Sequence, residues 1–150
     1  MENLIICPNN VVYQVPNPGG AEQVATSLGY SLSECVQFLY SDFDPACYSF
    51  PQAFTLTAGV VGFDLGTAKQ LAELTVNAQS NEQAKKTLEG LSYDVYVAQA
   101  SLPAEQRIVK YQDAIDANNA LAIETENREQ AIYAASTIEE VNAIVYPPGP

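Results

Sequence analysis

Between Ala104 and Tyr146 the chain has neither glycine nor proline. Apolar residues at Ile108, Tyr111 and Ile115 recur at helical spacing, and Leu121, Ala122, Ile132 and Ala135 continue the stripe. Asn118-Asn119 falls on or beside it. Asparagine weakens a helix interior because its amide competes for backbone hydrogen bonds. The pattern predicts one long helix with a polar break, the alternative being two helices joined at that pair. Ser101-Leu102-Pro103 marks the start, with Ser as N-cap and Pro tolerated in the first turn. Thr137-Ile138-Glu139-Glu140 is a capping box opening a short helix, whose apolar face is Val141, Ile144 and Val145. Pro147 and Pro148 stop it.

The first sixty residues carry a different rhythm. Leu4-Ile5-Ile6-Cys7 and Val11-Val12-Tyr13-Gln14-Val15 flank Pro8-Asn9-Asn10 and predict a β-hairpin. Pro16 to Gly20 is a loop, and Ala21 to Leu28 a two-turn helix stopped by Gly29. Ser33 to Leu39 fits a short helix nearly as well as a strand. Asp42 to Pro45 is a turn, and Ala46–Phe50 and Ala53–Val61 are expected strands. Asp64 caps a helix over Leu65 to Gln79. Ser80-Asn81-Glu82-Gln83 predicts a second helix ending at Gly90, and alternation of Tyr93, Val95 and Val97 suggests a strand over 91–98, with helix as the competing reading. The expected class is α+β: a small, mostly antiparallel β unit with short helices over 1–62, then a helical region over 63–150 with one long helix and a Pro-rich tail at 146–150.

The 150 residues are 47% hydrophobic, enough for a core. Their formal net charge is −12, and no Lys or Arg precedes Lys69 or follows Arg128. Nucleic acid is therefore not an expected partner, because only Lys85-Lys86 forms a cationic pair that could displace counterions. An anionic membrane surface is disfavoured for the same reason. There is no transmembrane run and no basic leader at Met1-Glu2-Asn3, so a cytoplasmic protein is expected. Cys7, Cys35 and Cys47 form no Cys-x-x-Cys pair, and three free structural thiols are expected.

Candidate chemistry is sparse. The chain has no His, which removes the usual near-neutral acid–base group and the Ser-His and Cys-His routes to a nucleophile. Asp42/Asp44 and Glu139/Glu140 are read as a turn and a cap rather than as catalytic carboxylate pairs. Gly59-Val60-Val61-Gly62-Phe63-Asp64-Leu65-Gly66-Thr67 resembles the first phosphate loop of the actin-like ATPases. That fold requires a second such loop and a far longer chain. No enzyme activity, cofactor or metal is expected.

Ala135-Ser136-Thr137-Ile138-Glu139-Glu140-Val141-Asn142-Ala143-Ile144 and Tyr146-Pro147-Pro148-Gly149-Pro150 resemble the end of bacteriophage tail-fibre assembly proteins. Phe63 to Lys69 is similar to the point where those proteins pass from a β unit into helix. The resemblance implies a non-enzymatic chaperone that binds the C-terminal region of a phage tail fibre in the host cytoplasm, with retention on the virion fibre tip left open. The alternative is a structural virion subunit, such as a capsid decoration or tail component; self-association is a further option. An apolar stripe as thin as that of 101–145 buries little against its own domain, which favours a helix that projects or pairs with another chain. Ile108, Tyr111, Ile115, Ile132 and Tyr146 are the expected partner contacts.

Overall fold

The computed structural model describes residues 3–15 and 19–148. Residues 16–18 of the loop expected over Pro16 to Gly20, and the last two residues of the Pro-rich tail, lie outside them. The fold is α+β, with an antiparallel β region near the N-terminus and, among the described residues, five helices. It forms two compact units, Met1–Ala72 with Ala135–Pro150, and Glu73–Ala134. This corrects the expected division at residue 62, because the last helix belongs with the β region rather than with the long helix before it.

In the first unit, β1 (Asn3–Ile6), β2 (Val12–Gln14) and β3 (Val36–Leu39) form an antiparallel sheet in the order β2-β1-β3. After the exposed Asn3 the central strand is apolar, because both of its faces are covered. Leu4 and Ile6 point to one face, with Phe38, Cys47 and Phe54; Ile5 and Cys7 point to the other, with Val15, Ala21, Ala25 and Cys35. The β1–β2 turn places Asn10 at φ 59°, a left-handed conformation that Asn tolerates. Its side chain accepts the Leu56 N–H at 3.0 Å. Helix α1 (Gly20–Ser27) ends as expected, with Gly29 at φ 84°.

The ambiguous stretch at 33–39 divides in two. Ser31 and Glu34 box a single 3-10 turn, the Ser31 N–H donating to Glu34 Oε2 at 2.7 Å, and β3 follows. Ile6 pairs with Val36, so Cys7 and Cys35 are the next cross-strand neighbours. Their Cα atoms are 4.3 Å apart and the sulfurs form a disulfide, while Cys47 is free and buried. The expectation of three free thiols is thereby corrected. Spacing along the chain could not show this pair, because register makes it.

Two expected strands are also corrected. Ala46–Phe50 lies mostly in a 3-10 turn over Pro45–Ser49. Asp44 caps it, accepting the Ala46 N–H at 2.8 Å, and Pro45 presets φ in its first position. Ala53–Val61 is interrupted by a tight turn, giving the hairpin β4 (Phe54–Thr57) and β5 (Val60–Phe63). Ala58 and Gly59 have φ of 52° and 75°, the double positive φ of a two-residue hairpin turn. Alanine there hides the turn from a sequence reading. Phe54 is fully buried at the centre of an aromatic layer, with Phe43, Tyr48 and Phe63 centroids 5.2, 5.3 and 5.1 Å away. Helix α5 (Ile138–Val145) packs against the 45–49 turn and buries Val141 and Val145. Its cap is as expected: Thr137 Oγ1 accepts the Glu140 N–H at 3.2 Å, and Glu140 reaches back to the Ser136 N–H at 2.8 Å.

Helix α2 (Leu65–Thr87) starts in the first unit, where Asp64 Oδ2 accepts the N–H and hydroxyl of Thr67. It runs through Ser80 without a break, so the expected helix start there is corrected. In the second unit, 91–98 is not a strand. Ser92 caps α3 (Tyr93–Ala100), its hydroxyl accepting the Val95 N–H at 3.4 Å. Three β-favouring residues in alternation are outweighed by a cap and by packing on a neighbouring helix. Ser101 ends α3 instead of starting the next helix, a 3-10 turn covers Ala104–Gln106, and α4 runs from Val109 to Ala134. Asn118-Asn119 lies inside this one continuous helix, as expected.

Candidate functional site

The second unit is built on polar contacts. Three hydrogen bonds along facing stretches show that α2 and α4 run antiparallel. Tyr133 donates to Glu73 Oε2 at 3.2 Å, Arg128 Nη2 to Gln79 Oε1 at 2.7 Å, and Thr125 Oγ1 to Ser80 Oγ at 2.9 Å. The charge of Glu73, and then its hydrogen bond, holds the Tyr133 hydroxyl above its ordinary pKa. Between the helices lies an open groove of about 450 Å³, with Ala117, Ala120 and Leu121 on its lining and Gln83, Glu124 and Arg128 around them.

Helix α3 packs on α4 through one face. The Ser92 N–H donates to the Tyr111 hydroxyl at 3.3 Å, and Asn118 Nδ2 donates to the Tyr96 hydroxyl at 3.2 Å. The second contact accounts for an asparagine on the apolar stripe of α4. Arg107 closes the turn: Nε donates to the carbonyls of Gln99 and Leu102 at 3.0 and 2.9 Å, Nη2 to Ala100 O at 3.1 Å, and Nη1 to Gln112 Oε1 at 3.1 Å. Gln99 Oε1 also takes the Ile108 N–H at 2.7 Å. Spending Ser92, Tyr96 and Gln99 on α4 leaves Tyr93 and Val97, one turn apart, facing out at 67% and 48% exposure. Ile108 and Val109, at the start of α4, are 50% and 74% exposed.

The expected partner contacts separate on this framework. Ile108 is on the surface of the second unit and Tyr146, half exposed, on that of the first. Tyr111, Ile115 and Ile132 are buried within the chain itself. A regular stripe is what a helix uses to bury itself. Tyr93 and Val97 on α3 and Val109 on α4 are large, apolar and exposed.

The phosphate-loop resemblance meets a different local structure. Gly59 sits in the β4–β5 turn, and Asp64 occupies the amide of Thr67 that such a loop would offer to phosphate. Hydrogen bonds from the Thr67 hydroxyl and then its backbone keep the Asp64 carboxyl below its usual range. Among the described residues, no three His, Cys, Asp or Glu side chains come together where they could hold a metal ion. None of the described helices is long and apolar enough to cross a membrane. Burial, and then the neighbouring Tyr40, pushes the Tyr48 hydroxyl up to about 12; that group donates to Tyr40 O at 2.7 Å, and the Tyr48 ring stacks on that of Tyr40.

No protein family, curated protein or solved structure was found to match the chain.

Proposed function

We propose that the chain is a non-enzymatic protein-binding factor that acts in assembly, with the C-terminal region of a phage tail fibre as its partner. The carrying observation is the α3–α4 elbow. It presents Tyr93, Val97, Ile108 and Val109 to solvent on helices held in place by Arg107 and by the Tyr111 and Tyr96 hydroxyls. Apolar side chains displayed on a fixed helical frame suit transient cover of another chain's apolar surface, since little ordering accompanies binding. The net charge of −12 supports the same role by opposing self-aggregation. The choice of a fibre as partner rests on the resemblance at 135–150 and at 63–69.

Co-expression with a phage tail-fibre polypeptide tests this reading. Wild-type chain is expected to yield soluble trimeric fibre, and the Val97→Asp/Val109→Asp variant to lose that effect while remaining helical. Rescue by the variant, or binding of wild-type chain to capsid alone, would replace this reading with that of a structural virion subunit.

A further inference from the structure

We propose that Cys7 and Cys35 are a reversible redox clasp that tightens one face of the N-terminal sheet and leaves the other unchanged. The inference does not depend on the identity of the partner. Four observations carry it. First, the pair is specified by register: the Ile6–Val36 ladder pair puts the two sulfurs opposite each other on one sheet face, 28 residues apart in the chain. Second, that face is the thinner one. Its buried residues are Ile5, Cys7, Val15, Ala21, Ala25 and Cys35, with Tyr13, Val24, Leu28 and Tyr30 half-buried against them, so no aromatic ring lies at its centre and the two sulfurs occupy that place beside α1 and β2. Third, the opposite face is held independently by Phe38 and Phe54 with their ring neighbours. Fourth, the remaining thiol, Cys47, is buried on that opposite face, where it cannot compete for either sulfur; burial also pushes it above its ordinary pKa.

The chemistry balances with a small disulfide such as oxidised glutathione. Cys35, 9% exposed against 0% for Cys7, is the entry sulfur. Its thiolate attacks the oxidant, releasing one glutathione thiolate and forming a mixed disulfide. The Cys7 thiolate then displaces the second glutathione. Two electrons pass from the cysteine sulfurs to the oxidant, and the two cysteine protons end on the two glutathione thiols. Closing the loop removes freedom from the unfolded chain, so the oxidised form resists unfolding better. In a reducing compartment the pair rests as two thiols, and outside it as the bridge.

The test uses the full chain, purified reduced and then equilibrated across ratios of reduced to oxidised glutathione. Intact mass and alkylation in denaturant count the thiols, and hydrogen exchange follows each form. Oxidation is expected to remove two hydrogens, leave Cys47 alone alkylatable, and raise the unfolding midpoint by on the order of 10 °C. Exchange should slow in peptides from β2 and α1 and stay unchanged in Phe54–Phe63. The Cys7→Ser/Cys35→Ser variant should match the reduced form at every ratio; if that variant does not fold, the wild-type series decides alone. Three alkylatable cysteines at the oxidising end, a bridge that includes Cys47, or a change spread over both sheet faces would overturn the proposal.

Discussion

The two units stabilise themselves by opposite means. Residues 1–72 with 135–150 bury the apolar side chains of β1 on both faces, Phe38 and Phe54 among half-buried rings, and a disulfide. Residues 73–134 bury five side chains among those described, Val76, Tyr111, Ala114, Ile115 and Ile132. They rely on hydrogen bonds between helices for the rest. A fully buried Val, Ile or Phe contributes roughly 1.5–3 kcal/mol, whereas a neutral hydrogen bond nets roughly 0.5–1.5. The first unit therefore depends on volume and shape. The second depends on particular donors and acceptors, and it keeps large apolar side chains outside. A surface meant to meet another protein is better placed on the second kind, where exposing Val109 or Tyr93 opens no hole in a core.

The comparison can be broken at several points. Deleting residues 135–150 should have the largest effect, because Val141 and Val145 fill the first unit from the far end of the chain. The expected loss is about 3–6 kcal/mol for the two valines, seen as collapse of exchange protection in β1 and β3 with helical signal persisting from 73–134. Undiminished protection would show that the last helix is not part of that core. Phe54→Ala comes next, at about 3–5 kcal/mol for an aromatic cavity, measured by urea unfolding. A cost below about 1 kcal/mol would mean that the ring layer is not the determinant described above.

In the second unit, Arg107→Ala removes donors from three carbonyls at the end of α3. A loss of about 1.5–3 kcal/mol is expected for hydrogen bonds made by a charged group, with exchange quickening over 93–107 and not over 3–15. Equal effects in both regions would undo the contrast. The smallest effect belongs to the exposed contact between Asp44 and Glu139. The hydrogen bond between them lowers the Asp44 carboxyl below its ordinary range and raises that of Glu139 above its own. A lowered carboxyl stabilises the fold above its unfolded pKa and loses that contribution as pH falls. A raised one stabilises below its unfolded pKa and loses it as pH rises through the folded value. The contact is thus most favourable in mild acid, with the proton on Glu139, and weakens towards neutral pH. Glu139→Gln, which keeps a donor at every pH, should flatten that decline in the melting temperature; an unchanged pH profile would remove the contact from the account.

Much of this architecture follows from local chemistry alone. Asn10, Gly29, Asp64 and Thr137 do what their residue types favour at turns and caps, so the first hairpin, α1 and α5 and the start of α2 are legible without coordinates. So is the α+β class, and so is the single long helix through Asn118-Asn119. Elsewhere, distant residues decide. Ser80 begins no helix because its hydroxyl is used by Thr125, and 91–98 is helical because Tyr96 and Gln99 meet α4. Cys7 and Cys35 become partners through strand register, which no spacing rule contains. The stripe of α4 correctly marked the apolar face at Tyr111, Ile115 and Ile132, but periodicity reports only that a face is apolar. Whether that face is turned inward or offered to another protein depends on what packs against it, and that is a property of the tertiary structure.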